Sequence, residues 1–358
     1  MVTPRAIVML LGCAALAACA GTGERAVLHF GIGDAPEGKT LLWPGPPEVP
    51  RFQYAGVLTG EANFRRPSEQ TRRGARDLLR WLVGLDDDTA RKQVLQRPQA
   101  VVVDAQGRIF VSDVSRRAVF VFDGPGGELQ VWDRALGLSG FVAPGGLALG
   151  PAGQLYVADA ELGVVVRLDS KGNPAGGIGK GILQRPTGLA RDAERGVLYV
   201  ADTRAHDIKL FADNGTLLGT LGRRGTGDGE FNAPTHLAFS DGRLYVTDSL
   251  NNRIQMFERD QAQPLRAIGR RGLYVGNLVR PKGVAVDGEG NVYVVEGYFD
   301  YLLVFNAQGE FLMPLGGTGQ GSGNFFLPAG VWVDGNNRVF VADMFNGRVV
   351  VYQFLGGG

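Results

Sequence analysis

The stretch PTHLAFSDGRLYVTDSLNNRIQMF, residues 234–257, holds three short apolar runs separated by two polar turns. A proline opens the first run and Asp241-Gly242 closes it. The second run is LYVTD. After the turn SLNN, the third run, RIQMF, alternates apolar and polar side chains. β-Branched and aromatic residues in runs of this length, bounded by Gly, Asp and Asn, specify strands.

The same plan recurs. Its leading prolines are Pro98, Pro144, Pro186, Pro234, Pro281 and Pro328, spaced 42–48 residues apart by their own numbering. The second run reads IFVSD (109–113), LYVAD (155–159), LYVAD (198–202), LYVTD (244–248), VYVVE (292–296) and VFVAD (339–343). A fourth strand-like run follows the third, as in TLLGTLG (216–222) and EFLMPLG (310–316). Four strands per unit of roughly 40–50 residues predict an all-β, six-bladed β-propeller of four-stranded antiparallel blades over residues 97–355. The last unit runs out after VVVYQ (349–353), so it lacks an outer strand. The orphan run RFQYAGVLTG (51–60) has no unit of its own. Placing it on the outside of blade six closes the ring and removes the sheet edges on which chains aggregate.

The pattern P-x-G-[VL]-A, then G-x-[LV]-Y-V-[AT]-D, then N-x-R-[IV], then G-x-x-G-x-G-x-F resembles NHL repeats, and the six copies are in phase. The front of the chain, WPGPPEVPRFQY, is similar to that of bacterial six-bladed propeller lipoproteins of NHL type. The resemblance implies the fold and is weak for function.

The chain has 358 residues and 55 glycines, which suits one large domain with many turns, and its net charge of +1 exerts no global pull on nucleic acid. Residues 1–18 read as a lipoprotein signal peptide: Arg5 precedes an apolar run from Ala6 to Leu16, too short to span a bilayer. The run ends in Leu16-Ala17-Ala18-Cys19, which resembles a lipobox with Cys19 as the lipidated residue. With Cys13 lost in the signal, no disulfide is expected. Ala20 in place of Asp implies, by the family rule, the periplasmic face of the outer membrane. Residues 19–50 are rich in proline and read as a stiff, extended tether. Residues 61–96 fit no blade. There Ala75, Leu78, Leu79, Leu82 and Val83 share a helical face, so a short helical insertion is expected over 72–83, packed on the ring or touching a membrane surface or partner.

In a repeat protein, a residue that recurs in phase serves the blade, and one that breaks phase is a candidate for function. By that test Asp113, Asp159, Asp202, Asp248 and Asp343 are structural, bonding the amides of the next turn. Arg253 and Arg348 are packing residues. The loops GRRGTGDGEF (222–231) and GGTGQGSGNF (316–325) lead into strands and lack the helix N-terminus of a phosphate cradle. The departures are His206, His236, Lys282, and Glu296 with the following Tyr298 and Phe299. The loop leading into a first strand and the turn between strands two and three open on one face. These residues, with Arg97, Arg185 and Arg280, are therefore expected at one mouth of the ring, as a basic, aromatic-edged surface for a protein or an anionic glycan.

Lyases with similar repeats hold zinc with several histidines, and six-bladed lactonases hold calcium with channel carboxylates. Here only His29, His206 and His236 are present, and the first strands begin PQAV, PGGL, PTGL, PTHL, PKGV and PAGV, with no carboxylate. No nucleophile motif, metal set or cofactor motif stands out. The reading is a lipid-anchored, non-catalytic binding or scaffold module of the cell envelope, without a nucleic-acid partner. A metal-dependent lyase or lactonase-like enzyme with its site at the channel mouth is the alternative.

Overall fold

The computed structural model describes residues 25–31, 40–66, 93–137 and 139–356. Blade four shows the plan. Pro234–Ser240 lies innermost, followed outward by Arg243–Asp248, Arg253–Glu258 and Arg266–Ile268, each antiparallel to its neighbour. Blades one, two, three and five repeat it as four-stranded sheets starting at Pro98, Pro144, Pro186 and Pro281.

Blade six is completed from the front of the chain. Its own strands are Val331–Val333, Arg338–Asp343 and Arg348–Phe354. Phe52–Leu58 then pairs antiparallel with the last of these, from Val349 opposite Leu58 to Phe354 opposite Phe52. Closure by the orphan run is thus observed, and its pattern explains it: Phe52, Tyr54, Val57 and Leu58 are buried. Leu42–Trp43 adds a fifth strand outside it.

The proline-rich front differs from a free tether. Val27–Leu28 pairs with Phe64–Arg65, and Gly31 bridges Val57. Phe30 meets Phe340 edge-on at 6.4 Å, and Trp43 meets Tyr352 at 5.4 Å. Its aromatic side chains gain more by covering blade six than by staying in water. Of the insertion, Glu61–Asn63 forms one 3-10 turn and Val94 bridges Gly60. The helix expected over 72–83 and the lipidation residue Cys19 lie outside the described residues.

The core lies between blades. Side chains from facing sheets interleave, with Phe110, Tyr156, Phe211, Phe257, Tyr293 and Tyr352 among the fully buried. The glycine-rich loops return the chain from outer strand to next inner strand, anchored by buried Phe231 and Phe325. Gly222 has φ +77°, and a Cβ there would come within 2.3 Å of the Phe231 ring, so only glycine fits.

Candidate functional site at the mouth and throat of the ring

All six blades build the mouth in the same way. The backbone of the loop leading into the first strand is hydrogen-bonded to the turn between strands two and three: Val114 to Arg97, Ala160 to Ala143, Thr203 to Arg185, Leu250 to Asn232, Gly297 to Arg280 and Phe345 to Phe326. The recurring carboxylate lies beneath each junction. Asp113 accepts from the amides of Gln96, Arg97 and Arg116, and Asp202 from those of Gln184 and Arg185. The carboxylates therefore clamp the lead-in loop as well as the turn. Glu296, singled out as a departure, does the same work through the amides of Val279, Arg280, Tyr298 and Phe299. Arg253 and Arg348 each join their clamp Asp at 2.8–2.9 Å and reach carbonyls of the glycine-rich loops.

His206 is a tie between blades. It sits with φ +60° at the fourth residue after Asp202, where the other turns place Arg117, Gly163, Asn252, Asp300 and Gly347, all with positive φ. Histidine, asparagine and aspartate tolerate that left-handed conformation. Its Nδ1 accepts from the Ala233 amide at 3.0 Å. Asn252 donates to Val279 O and Asp300 accepts from the Leu327 amide, so three turns use this position to hold the next blade.

His236 lies elsewhere, in the wall of the central channel. It occupies the third position of its first strand. The other blades have Ala100, Gly146, Gly188, Gly283 and Gly330 there. Near the axis neighbouring strands almost touch: a Cβ on Gly188 would lie 2.4 Å from Thr235 O and 2.7 Å from the His236 Cα. His236 keeps some accessible surface, toward the channel whose wall it forms. Burial, aided by the nearby Lys282 ammonium, pulls its pKa down to about 3. Its Nδ1 meets the Thr235 hydroxyl at 3.0 Å, Thr235 meets Ser249 at 2.6 Å, and Ser249 donates to Pro281 O at 3.2 Å.

Lys282 stands one residue above that ring of small residues. Its stem lies over Gly297, whose added Cβ would be 3.2 Å from the Lys282 Cε. Burial first, then Arg280, lowers its pKa; Asp300 and Glu296 oppose the shift. The Lys282 carbonyl accepts from the Thr247 hydroxyl at 2.7 Å, but its ammonium makes no hydrogen bond or ion pair among the described residues.

The rim carries the other candidates. Tyr298 is 53% exposed and meets Phe299 edge-on at 4.8 Å. Arg97 stacks over Phe345 at 5.0 Å, and Phe326 meets Phe345 at 5.6 Å. Arg280 is exposed. Arg185 is not a free charge, because Glu161 pairs with it at 2.8 Å. Phe326, Phe345 and Leu250 escaped the sequence reading. The signal was present: two residues beyond the clamp carboxylate stand Ser115, Glu161, Arg204, Leu250, Tyr298 and Phe345. That column is polar in blades one to three and apolar in blades four to six. Among the described residues, no three His, Cys, Asp or Glu side chains group as metal ligands.

A family model described as a 6-bladed beta-propeller (DUF5128) matches residues 279–357. Protein brain tumor of Drosophila melanogaster is 30% identical over 139 residues, and NHL repeat-containing protein 2 of Bos taurus is 32% identical over 155 residues. The chain is an NHL-type six-bladed β-propeller. These matches take in 38% and 34% of the propeller chain but only 13% and 21% of the two relatives, which are far longer. A solved gluconolactonase of Xanthomonas campestris superposes with a TM-score of 0.56 at 17% identity, over 73% of this chain and 86% of its own. That likeness is one of fold alone.

Proposed function

We propose that this NHL-type propeller is a lipid-anchored binding module of the cell envelope that docks a protein partner on the mouth of its ring. The observation that carries the reading is the exposed aromatic arc of Tyr298, Phe326 and Phe345, with Arg97 stacked on it. Aromatic and arginine side chains of this kind dominate protein interfaces. The pairing of Arg185 with Glu161 thins the basic ring, so a protein fits better than an anionic glycan. Anchoring rests on the sequence around Cys19.

Crosslinking of the anchored protein in native envelopes, followed by mass spectrometry, tests docking. A protein partner captured by the wild type and lost from the Tyr298→Ser/Phe345→Ser double variant supports it. Retention by that variant, with loss on Arg97→Glu/Arg280→Glu, would instead favour a charge-driven glycan. Cys19→Ala should abolish acyl labelling and release the protein from the membrane fraction. The catalytic alternative is tested by metal analysis of purified protein: a stoichiometric ion lost in the His206→Ala/His236→Ala variant would revive it.

A further inference from the structure

The central channel holds a cavity of about 360 Å³ walled by the first strands of all six blades. The wall is aliphatic and backbone, with Leu147, Leu189, Leu237, Val284 and Val331 contributing. Its two charged or titratable residues are Arg191 and His236. Arg191 is neutralised by Asp213 at 2.6 Å. His236 has an open nitrogen.

The hydrogen bonds around His236 fix which proton it carries. Ser249 gives its hydroxyl proton to Pro281 O, so Thr235 must give its own to Ser249. Thr235 then has only a lone pair for His236, and Nδ1 is the protonated nitrogen. In the neutral ring Nε2 is therefore a bare acceptor, without a partner among the described residues. One position above, the Lys282 ammonium is likewise unmatched. The carboxylates near it are occupied: Glu296 by four amides, and Asp300 by the Leu327 amide and the Thr318 hydroxyl. The ammonium is partly buried, and the Asp300 and Glu296 carboxylates that act on it have their lone pairs engaged elsewhere; Nε2 is an acceptor open to the channel. His236 lines the apolar chamber, and Lys282, next to the lining residue Gly283, is close enough for its charge to act on the imidazole.

We infer that the throat and channel form a binding site for a small hydroxyl-bearing carboxylate with an apolar body. The carboxylate meets the Lys282 ammonium, the hydroxyl donates to His236 Nε2, and the aliphatic body fills the channel. At about 360 Å³ the chamber lies at the lower end of ordinary ligand pockets, which suits a small ligand. The site needs neither the aromatic arc nor a protein partner, so it stands or falls independently of the docking reading.

The test is calorimetric titration of the purified protein with 3-hydroxyoctanoate, octanoate, octan-1-ol and acetate. 3-Hydroxyoctanoate should bind about fivefold more tightly than octanoate, the ratio given by one net hydrogen bond. Octan-1-ol and acetate should each bind at least tenfold more weakly. Lys282→Met, which keeps the stem over Gly297, should lower hydroxyoctanoate affinity at least tenfold and still capture the partner that the wild type captures. The chain has three histidines, so imidazole NMR of the wild type gives a readout independent of any variant's folding. The His236 resonances, assigned by their loss in His236→Gln, should move on titration. Octan-1-ol binding as tightly as the acid, an unchanged affinity in Lys282→Met, no saturable binding, or a shift confined to His29 or His206 would each overturn the assignment.

Discussion

The turn of blade three and the throat of blades four and five hold the two histidines that break the repeat, and they treat them in opposite ways. At the turn, His206 takes a conformation every blade needs there and gives its Nδ1 to the next blade's Ala233 amide. Around it Thr203 donates to Pro234 O and Arg185 pairs with Glu161. Each irregular residue is consumed internally. At the throat, the His236 Nε2 faces the channel and the Lys282 ammonium has no hydrogen-bond partner among the described residues. A departure from a repeat marks function only when the neighbouring structure leaves it unused.

The comparison can be broken or sharpened by substitution, starting where the effect is largest. Both regions rest on the same clamp, so Asp202→Ala and Glu296→Ala should each lose about 3–5 kcal/mol, leaving several loop amides unsatisfied. In a ring of this size that lowers the melting temperature by roughly 5–8 °C. A loss confined to one of them would show that the clamps are not equivalent.

Next comes pH. The folded pKa of His236, about 3, lies below the 6.5 of the unfolded chain, so the unfolded state takes up the proton first. This contribution is complete above pH 6.5 and is lost as pH falls toward 3, at about 1.4 kcal/mol per pH unit. Denaturant unfolding at pH 7, 6, 5 and 4 should show that slope in the wild type beyond that of His236→Gln. Parallel curves would mean that the imidazole is not desolvated. The carboxyls of Asp207 and Asp343, raised by burial, are common to both proteins and cancel in the difference.

Two glycines separate tight packing from open space. Gly188→Ala forces a Cβ against the Thr235 carbonyl and should lose about 1–3 kcal/mol. Gly297→Ala meets only the flexible Lys282 stem, and its melting temperature should stay within about 2 °C of wild type, a change below roughly 0.5 kcal/mol. Smallest among the histidine tests, His206→Ala should lose about 1 kcal/mol with its inter-blade hydrogen bond, and His206→Asn, the residue blade four uses there, should recover part of it.

The ring itself was legible because its signals are local and repeated. Prolines open the first strands, alternating runs follow, and the run 51–60 without a unit matches the unit without a last strand. The clamp carboxylates were legible as structural, but not their grip on a lead-in loop 16 or 17 residues upstream. The fate of His206 depends on an amide 27 residues away in another blade, which no local pattern displays. The docking of Phe30 and Trp43 on blade six was hidden for the same reason: a proline-rich composition describes stiffness, not what the aromatic side chains between the prolines find to cover. Phe326 and Phe345 stand in loops, where sequence does not tell an exposed aromatic side chain from a buried one, although the aligned column turns apolar in blades four to six.

Closure of blade six ties assembly to synthesis. Phe52–Leu58 is made before the five sheets that follow it, and its partner Arg348–Phe354 after them. Bringing together ends separated by about 300 residues costs about 5 kcal/mol of chain entropy if nothing between them has yet folded. Five hairpin-built sheets stacking in turn shorten that gap before the final join. The latch thus serves as a completeness check: a chain stopped short of its last strand leaves a waiting edge at Phe52 and an unfinished circle.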